Sequence, residues 1–288
     1  MPRPEVHSFF DTATRTISHV AWDGATLSAA IIDSVLDYDD TSGRTSRANA
    51  DAIIAFVRAR QLKVEWIIET HVHADHLSAA PYLRAQCGGR IAIGEKVSGV
   101  QSAFGRVFDA RPSFRADGSQ FDHLFADGEV YALGTIAARA LATPGHTPAC
   151  MTHLIGDAAF VGDTLFSPDY GSARCDFPGG DARALYRSAQ TLFALPDATR
   201  VFLCHDYPVA GRDGVMTETT IGAQRQGNVH LHAGIDEDAF VRMRVARDAT
   251  LSMPRLLLPS VQVNICAGEL PPPAPNGIRY LKIPLDTM

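Results

Sequence analysis

The stretch Glu69–Ala80, ETHVHADHLSAA, places His71, His73, Asp75 and His76 within six consecutive positions. Buried imidazoles and carboxylates are costly unless each has a partner, so crowding them calls for a reason. In extended backbone, side chains at i and i+2 share a face. His71, His73 and Asp75 would then point one way, with Val72 and Ala74 directed into the protein and His76 following as the chain turns. The stretch continues from the apolar run KVEWIIET, a buried strand by its pattern, so four ligand-type groups gather at a strand's C-terminal end. Neutral imidazole and carboxylate are ligands for first-row transition metals. A polar surface loop would explain the composition but not the alternation.

The same pattern recurs downstream. TPGHTPA sets His146 in a turn after the strand ending at Thr143, FVGDTLF ends an apolar strand on Gly162-Asp163, and VFLCHDY ends another on His205. Strands that all terminate in ligand-type residues can bring them to one sheet edge.

Around these endings, TRTISHVAWDGATLSAAIIDS suggests two strands joined at Asp23-Gly24, a strong hairpin signal. TSRANADAIIAFVRARQL has helical spacing at Ala50, Ile53, Ile54 and Val57, with Ser46 placed as N-cap. LSAAPYLRAQCGG suggests a short helix closed by Gly88-Gly89. EVYAL and TIAARALAT are strands separated by Gly134, CMTHLIG and AAFVGD form a hairpin at Gly156-Asp157, and DARALYRSAQTLFAL is an amphipathic helix. From Val215 the chain turns helical in ETTIGAQRQ and DEDAFVRMRVARDA. The following LPPPAPNG is too proline-rich for a regular element. Two strand-rich halves, each with helices, predict a sheet-on-sheet α+β core over about residues 15–214. An extension packed on it, about 215–288, would make residues 1–288 a single domain.

At 288 residues and 46% hydrophobic, the chain can bury a large core. Its net charge of −6, without long runs of one sign, argues against a nucleic-acid footprint. No apolar run approaches the ~20 residues that span a bilayer, and the first residues lack a charged lead followed by an apolar stretch. The five cysteines are scattered without a C-x-x-C pair, which with the missing leader predicts a reduced, cytoplasmic setting. Cys150 and Cys204 lie in apolar runs as core residues. His7, His19, His123 and His153 are isolated, and His230-x-His232 is a weak metal pattern, so all are set aside.

His-x-His-x-Asp-His at 71–76 with His146, Asp163 and His205 resembles the metallo-β-lactamase superfamily over roughly residues 15–210. The resemblance implies an αββα sandwich with a metal site on one edge and a helical C-terminal cover. It also implies room for two metals, His71, His73 and His146 holding one, Asp75, His76 and His205 the other, with Asp163 bridging. Two zinc ions there would activate water for ester, thioester or lactam cleavage.

Within the superfamily, GDTLFSPDYGSARCDFPGGDARALYRS and HDYPVAGRD resemble the persulfide dioxygenases, whose loop after Gly-Asp carries Arg-x-Asp-Phe, here Arg174-Cys175-Asp176-Phe177. FRADGSQFDHLFADGE is similar to the bacterial branch. Ala173, where many relatives have Gly, and the long tail after Pro254 depart from the pattern. This resemblance implies one Fe(II) on His71, His146 and Asp163, a facial triad with open positions for a persulfide sulfur and O2. The products would be sulfite and the thiol, most naturally glutathione. His73, Asp75, His76 and His205 would then act as a hydrogen-bonded catalytic set beside the iron. Arginine is the bidentate partner for the carboxylates of a glutathione-sized ligand, so Arg174, Tyr207, Arg225 and Asn228 are the substrate-binding candidates. The alternative is a dinuclear thioester hydrolase of the glyoxalase II type. Related enzymes are often dimers, so a homodimer is a further expectation.

Overall fold

The computed structural model describes residues 3–287. In chain order its first half comprises β1 (Glu5–Phe10), β2 (Ile17–Trp22), β3 (Ser28–Ile32), β4 (Val35–Asp39), β5 (Arg44–Ser46), α1 (Ala48–Ala59), β6 (Lys63–Ile68), β7 (Leu77–Ser78), α2 (Ala80–Cys87), β8 (Arg90–Gly94), α3 (Val97–Val107) and β9 (His123–Phe125). The second half comprises β10 (Val130–Leu133), β11 (Ile136–Ala142), β12 (Met151–Ile155), β13 (Ala158–Phe160), α4 (Ala182–Phe193), β14 (Arg200–Phe202), β15 (Glu218–Thr220), α5 (Ile221–Gly227), α6 (Glu237–Asp248) and α7 (Leu257–Asn264).

Two six-stranded sheets, in the orders β1-β2-β3-β6-β8-β9 and β10-β11-β12-β13-β14-β15, pack face to face. The dry layer between them joins Ala30, Ile32, Trp66, Ile68 and Phe125 of the first sheet to Leu133, Ile136, Ala140, Ile155, Phe160 and Phe202 of the second. The outer face of the first sheet is covered through Ile53, Ile54, Leu83, Val100, Phe104 and Val261, from α1, α2, α3 and α7. The outer face of the second is covered by α4, α5 and α6 through Leu185, Leu192, Ile221 and Phe240. The expected αββα sandwich is thus present. Helices α5, α6 and α7 of the C-terminal extension lie in its outer layers, and β15 continues the second sheet.

Strand direction places the site. β3 and β6 run parallel, as do β13 and β14. β11 shares the direction of β13, because each is antiparallel to β12. All five therefore end on one edge of the sandwich, and the residues following them converge.

Local details depart from the sequence expectations in three places, one being ETTIGAQRQ, whose Glu218–Thr220 pair as β15 so that the helix starts only at Ile221, capped by Thr220. The hairpin at Asp23 closes over Asp23–Leu27 rather than at a two-residue Asp-Gly turn. Asp23 accepts from Ala25 N and Thr26 Oγ1, and Leu27 takes the left-handed conformation at φ 62°. Ser46 does not cap α1, since it ends β5 and the N-cap residue is Arg47, without a side-chain cap bond. The Asp37 carboxylate instead accepts from Asn49 N in the first turn, a cap supplied from β4. The Gly156-Asp157 hairpin and the Gly88 close of α2 form as expected. Among the described residues no helix is long and apolar enough to cross a membrane.

Phe160 is 1% exposed in the inter-sheet layer. Phe160→Ala should cost roughly 3–5 kcal/mol of stability, as large-to-small core substitutions do. A lowered urea midpoint at unchanged m-value would show it.

Candidate metal centre

β6 ends at Ile68, and residues 69–76 form a loop at the sheet edge. Val72 and Ala74 are buried in the apolar layer beneath the helices, which leaves His71, His73 and Asp75 to face the site edge, as the alternation implied, though His71 joins one ligand cluster and His73 and Asp75 another. Asp163 follows β13 in a short turn where Gly162 takes φ 49°. A Cβ on Gly162 would lie 2.6 Å from Thr70 Oγ1, so only glycine fits. Likewise Gly145, ahead of His146, passes so close to Leu185 that a Cβ would sit 2.3 Å from its Cα.

Each imidazole is held at one ring nitrogen and bare at the other. His71 Nδ1 donates to Thr70 Oγ1 (3.0 Å), which donates to Asp33 Oδ2 (2.9 Å). His73 Nε2 donates to Asp33 Oδ1 (3.0 Å), with Glu69 Oε2 at 3.2 Å. His146 Nδ1 donates to the Arg174 carbonyl (2.7 Å), and His205 Nδ1 to that of Arg15 (3.3 Å). His76 Nδ1 lies 3.3 Å from Thr16 Oγ1 and 3.2 Å from Asp75 Oδ2. The opposite nitrogens, His71 Nε2, His73 Nδ1, His76 Nε2 and His205 Nε2, are buried without a hydrogen-bond partner, as is Asp163 Oδ1. Orphaned buried polar atoms are rare and costly. Several of them aimed at one point fit a metal ion as the missing partner.

His71 Nε2 and His146 Nε2 lie 3.9 and 3.6 Å from Asp163 Oδ2, making His71, His146 and Asp163 one ligand cluster. His73, Asp75 and His76 form another, and His205 Nε2 lies 3.3 Å from Asp163 Oδ1 and 3.7 Å from Asp75 Oδ2. Asp163 thus stands between the clusters, as a bridging ligand would. The expectation that the second set satisfies itself by hydrogen bonding holds only for Asp75, which accepts from Thr16 Oγ1 at 3.0 Å and faces His76. The bare nitrogens of His73, His76 and His205 do not pair with one another.

Electrostatics separates the two histidines nearest Asp33. Burial, reinforced by neighbouring His73 and His146, holds the His71 pKa well below its ordinary value, which keeps its Nε2 lone pair free for a cation. Burial pulls His73 down as well, but Asp33 and Glu69 outweigh it and raise that ring well above its ordinary value. A metal at His73 Nδ1 would therefore compete with a proton that these two carboxylates favour.

A cavity of ≈ 230 Å³ opens over this centre between Phe166, Tyr170, Tyr207, Phe177 and the α6–α7 connection. Of the four substrate-binding candidates, Arg174 and Tyr207 line it. The Arg174 fork is already bidentate to Asp176, at 2.6 Å on both bonds, and bonds the Ser252 carbonyl. It ties the loop down rather than offering itself to a ligand. Tyr207 stacks on Tyr170 at 4.7 Å, and burial beside Asp163 and Asp75 keeps its phenol protonated. Arg225 and Asn228 are not brought to the cavity. Arg225 pairs with Asp197 at 2.7 Å, and Asn228 is fully buried, bonding Gly171 O and Gln224.

Sequence patterning missed three supports. Asp33 ends the apolar strand β3 in a left-handed conformation (φ 53°), and that ending, like those at Asp163 and His205, was the available signal. On α6, buried Arg244 pairs with Asp248 at 2.6 Å and bonds the Ser172 carbonyl, while Asp248 accepts from Cys175 N. These bonds flank Arg174, whose carbonyl holds His146. On α7, Asn264 Nδ2 donates to the carbonyls of His73 (2.8 Å) and His76 (2.7 Å), and its Oδ1 accepts from Ser78 N (2.8 Å).

A model of the metallo-beta-lactamase superfamily matches residues 28–205, and the chain belongs to that superfamily. It is 57% identical to a probable metallo-hydrolase of Burkholderia pseudomallei (strain 1710b), over 98% of this chain and 99% of that one. It is 47% identical to glyoxylase B2 of Dictyostelium discoideum, over 99% and 98%. The mouse (Mus musculus) mitochondrial persulfide dioxygenase ETHE1 is 28% identical over 93% of this chain and 91% of that one. The solved structure of ETHE1 from Myxococcus xanthus superposes with a TM-score of 0.72 at 28% identity, covering 92% of this chain and all of that one.

Asn264→Ala would leave two carbonyls and an amide of the ligand loop without partners. Metal retention against a chelator should fall by roughly 10–100-fold, the usual cost of losing a support behind the ligands. Metal analysis after dialysis, with far-UV circular dichroism to show that the fold persists, checks this.

Proposed function

We propose that the chain oxidises the outer sulfur of a low-molecular-weight thiol persulfide, glutathione persulfide foremost, using O2 at one Fe(II) held by His71, His146 and Asp163. RSSH, O2 and H2O give RSH, sulfite and two protons, the outer sulfur supplying the four electrons that O2 takes up. One contact carries the reading. The Arg174-Cys175-Asp176-Phe177 loop, which sets the persulfide dioxygenase branch apart, bonds His146 through the Arg174 carbonyl and lays Phe177 edge-on to its ring at 5.2 Å. Likeness to the mouse persulfide dioxygenase supports it.

Two imidazoles and one carboxylate suit Fe(II), which when bound would supply open positions for activating O2 toward sulfur. The protein's own groups do the remaining work. Phe166, Phe177, Tyr170 and Tyr207 exclude water from the sulfur. Tyr207, kept protonated, donates a hydrogen bond to an anionic persulfide. Asp75, tied to Thr16 and His76, together with His205 and His73 forms the polar surround of the site.

A second reading, a dinuclear metal thioester hydrolase, is favoured by the bare nitrogens of His73, His76 and His205. The names of the metallo-hydrolase and glyoxylase relatives agree with it.

Protein made in iron-supplied cells should contain about one iron per chain and consume O2 with glutathione persulfide, and His146→Ala or Asp163→Ala should abolish both. Two tightly held zinc ions with thioesterase activity and no O2 uptake would give the second reading the lead. Proton release on metal binding separates them independently. A metal that takes His73 Nδ1 competes with a proton there, the more so because Asp33 and Glu69 raise that ring's pKa, so its affinity falls as pH is lowered. A metal on His71, His146 and Asp163 leaves that proton in place. Calorimetric titration in buffers of different ionisation enthalpy counts it.

A further inference from the structure

A second cavity, of ≈ 540 Å³, is more than twice the size of the ≈ 230 Å³ one over the metal centre. It falls within the ~300–1,000 Å³ usual for small-molecule sites. Three segments that meet only in the fold build it. These are the β4–β5 hairpin through Tyr38, Asp40 and Thr45, helix α7 through Leu258 and Gln262, and the tail after Leu270, which crosses α7. The tail is fixed there by reciprocal bonds, Lys282 N to Gln262 Oε1 and Gln262 Nε2 to Lys282 O, both 2.8 Å. That anchoring leaves Tyr280 and Ile283 on the cavity while 54% and 69% exposed. Apolar residues exposed singly need no explanation. These two share one concavity with Leu77, Leu258, Leu270 and Leu281, and apolar surface gathered in a concavity marks a ligand site.

The charges in the lining narrow the class of ligand. Arg255 is paired with Asp40 at 2.9 Å, and Lys282 turns away to Asp109 at 2.6 Å. Arg279 bonds only the carbonyls of Leu270 and Pro271, and makes no ion pair among the described residues. Aliphatic walls with one uncompensated guanidinium complement an amphiphilic anion, with an apolar body and a single carboxylate head.

The position of the cavity gives such a ligand a consequence. Leu77 directly follows His76, and Leu258 and Gln262 lie on the helix that carries Asn264. Asn264 bonds the carbonyls of His73 and His76 and the amide of Ser78. A molecule in the cavity therefore touches both halves of that clamp.

We propose that this cavity is an effector site for a medium-chain aliphatic carboxylate, whose binding holds α7 against the ligand loop and slows loss of the metal. It requires a metal in the centre and is independent of the reaction performed there.

The test uses metal-loaded protein with octanoate, and 1-octanol as the uncharged molecule of equal length. Calorimetry should show octanoate bound about tenfold more tightly than 1-octanol, the worth of a charged hydrogen bond. Arg279→Gln should bring octanoate down to the affinity of 1-octanol, and Arg279→Lys should restore part of the difference. Ile283→Asp, at a mostly exposed side chain, should abolish octanoate binding. Neither residue lines the adjoining cavity beside Cys266, so these losses assign the site. Saturating octanoate should also slow metal loss to a chelator by at least about fivefold in wild type, a usual size for coupling between sites, and not in Ile283→Asp. Equal affinity for octanoate and 1-octanol, or octanoate binding that survives Ile283→Asp, overturns the proposal. So does octanoate that binds without slowing metal loss. A dimer in sedimentation that Ile283→Asp dissociates overturns it as well, since a second copy of the chain then closes this face.

Discussion

The Asp33 carboxylate beneath the metal centre is the contact on which the rest depends. Its two oxygens take His73 directly and His71 through Thr70, and Thr70 N bonds it at 2.7 Å. An imidazole has two nitrogens, and fixing a proton on one decides which lone pair faces the metal. A single buried carboxylate thus orients two imidazoles of the site while staying ionised in a low-dielectric surround, its pKa held down by His73 against the cost of burial. The strand ends that converge on this edge would bring the residues together without it, but would not aim them.

The C-terminal extension completes the same task from outside. Helix α6 grips the loop whose carbonyl orients His146, and α7 grips the loop that carries His71, His73 and His76. Neither helix supplies a ligand. Each replaces what solvent would otherwise provide to loop backbone, and each excludes water in doing so. Cover and support are therefore one structure, and the connection between the two helices supplies Leu251, Ser252 and Pro254 to the cavity lining.

Much of this was legible in the sequence because strand endings repeat a pattern. Apolar runs that stop on His71, His146, Asp163 and His205 announced both the sandwich and its working edge. Asp33 follows the same rule, but a lone aspartate after SAAII reads as an ordinary turn residue until its partners are placed in space. Several of the elements passed over have weak local signals, and β15 was absorbed into a stretch read as helical. β9 and β15 are three residues each, α3 contains Gly99 and Gly105, and α7 carries Pro259. Packing against the sheets holds them in place of propensity. The position of Arg225 has the same cause. It lies in the cover, but its facing Asp197 rather than the cavity is set by how α5 docks, which a linear pattern does not encode.

The bonds from Asn264 also order events in time. His76 and Asn264 are 188 positions apart, so at ~5–20 residues per second the ligand loop is synthesised roughly 10–40 s before the side chain that closes it. Over that interval the imidazoles belong to a segment whose backbone is not yet clamped, while the β-strands that aim them are still being completed up to β14. Contacts of such long sequence separation form late, after the local hairpins and helices. Selectivity among metals, which depends on ligand geometry more than on raw affinity, is thus a property of the finished chain, and the nascent one meets the cell's metal pool without it.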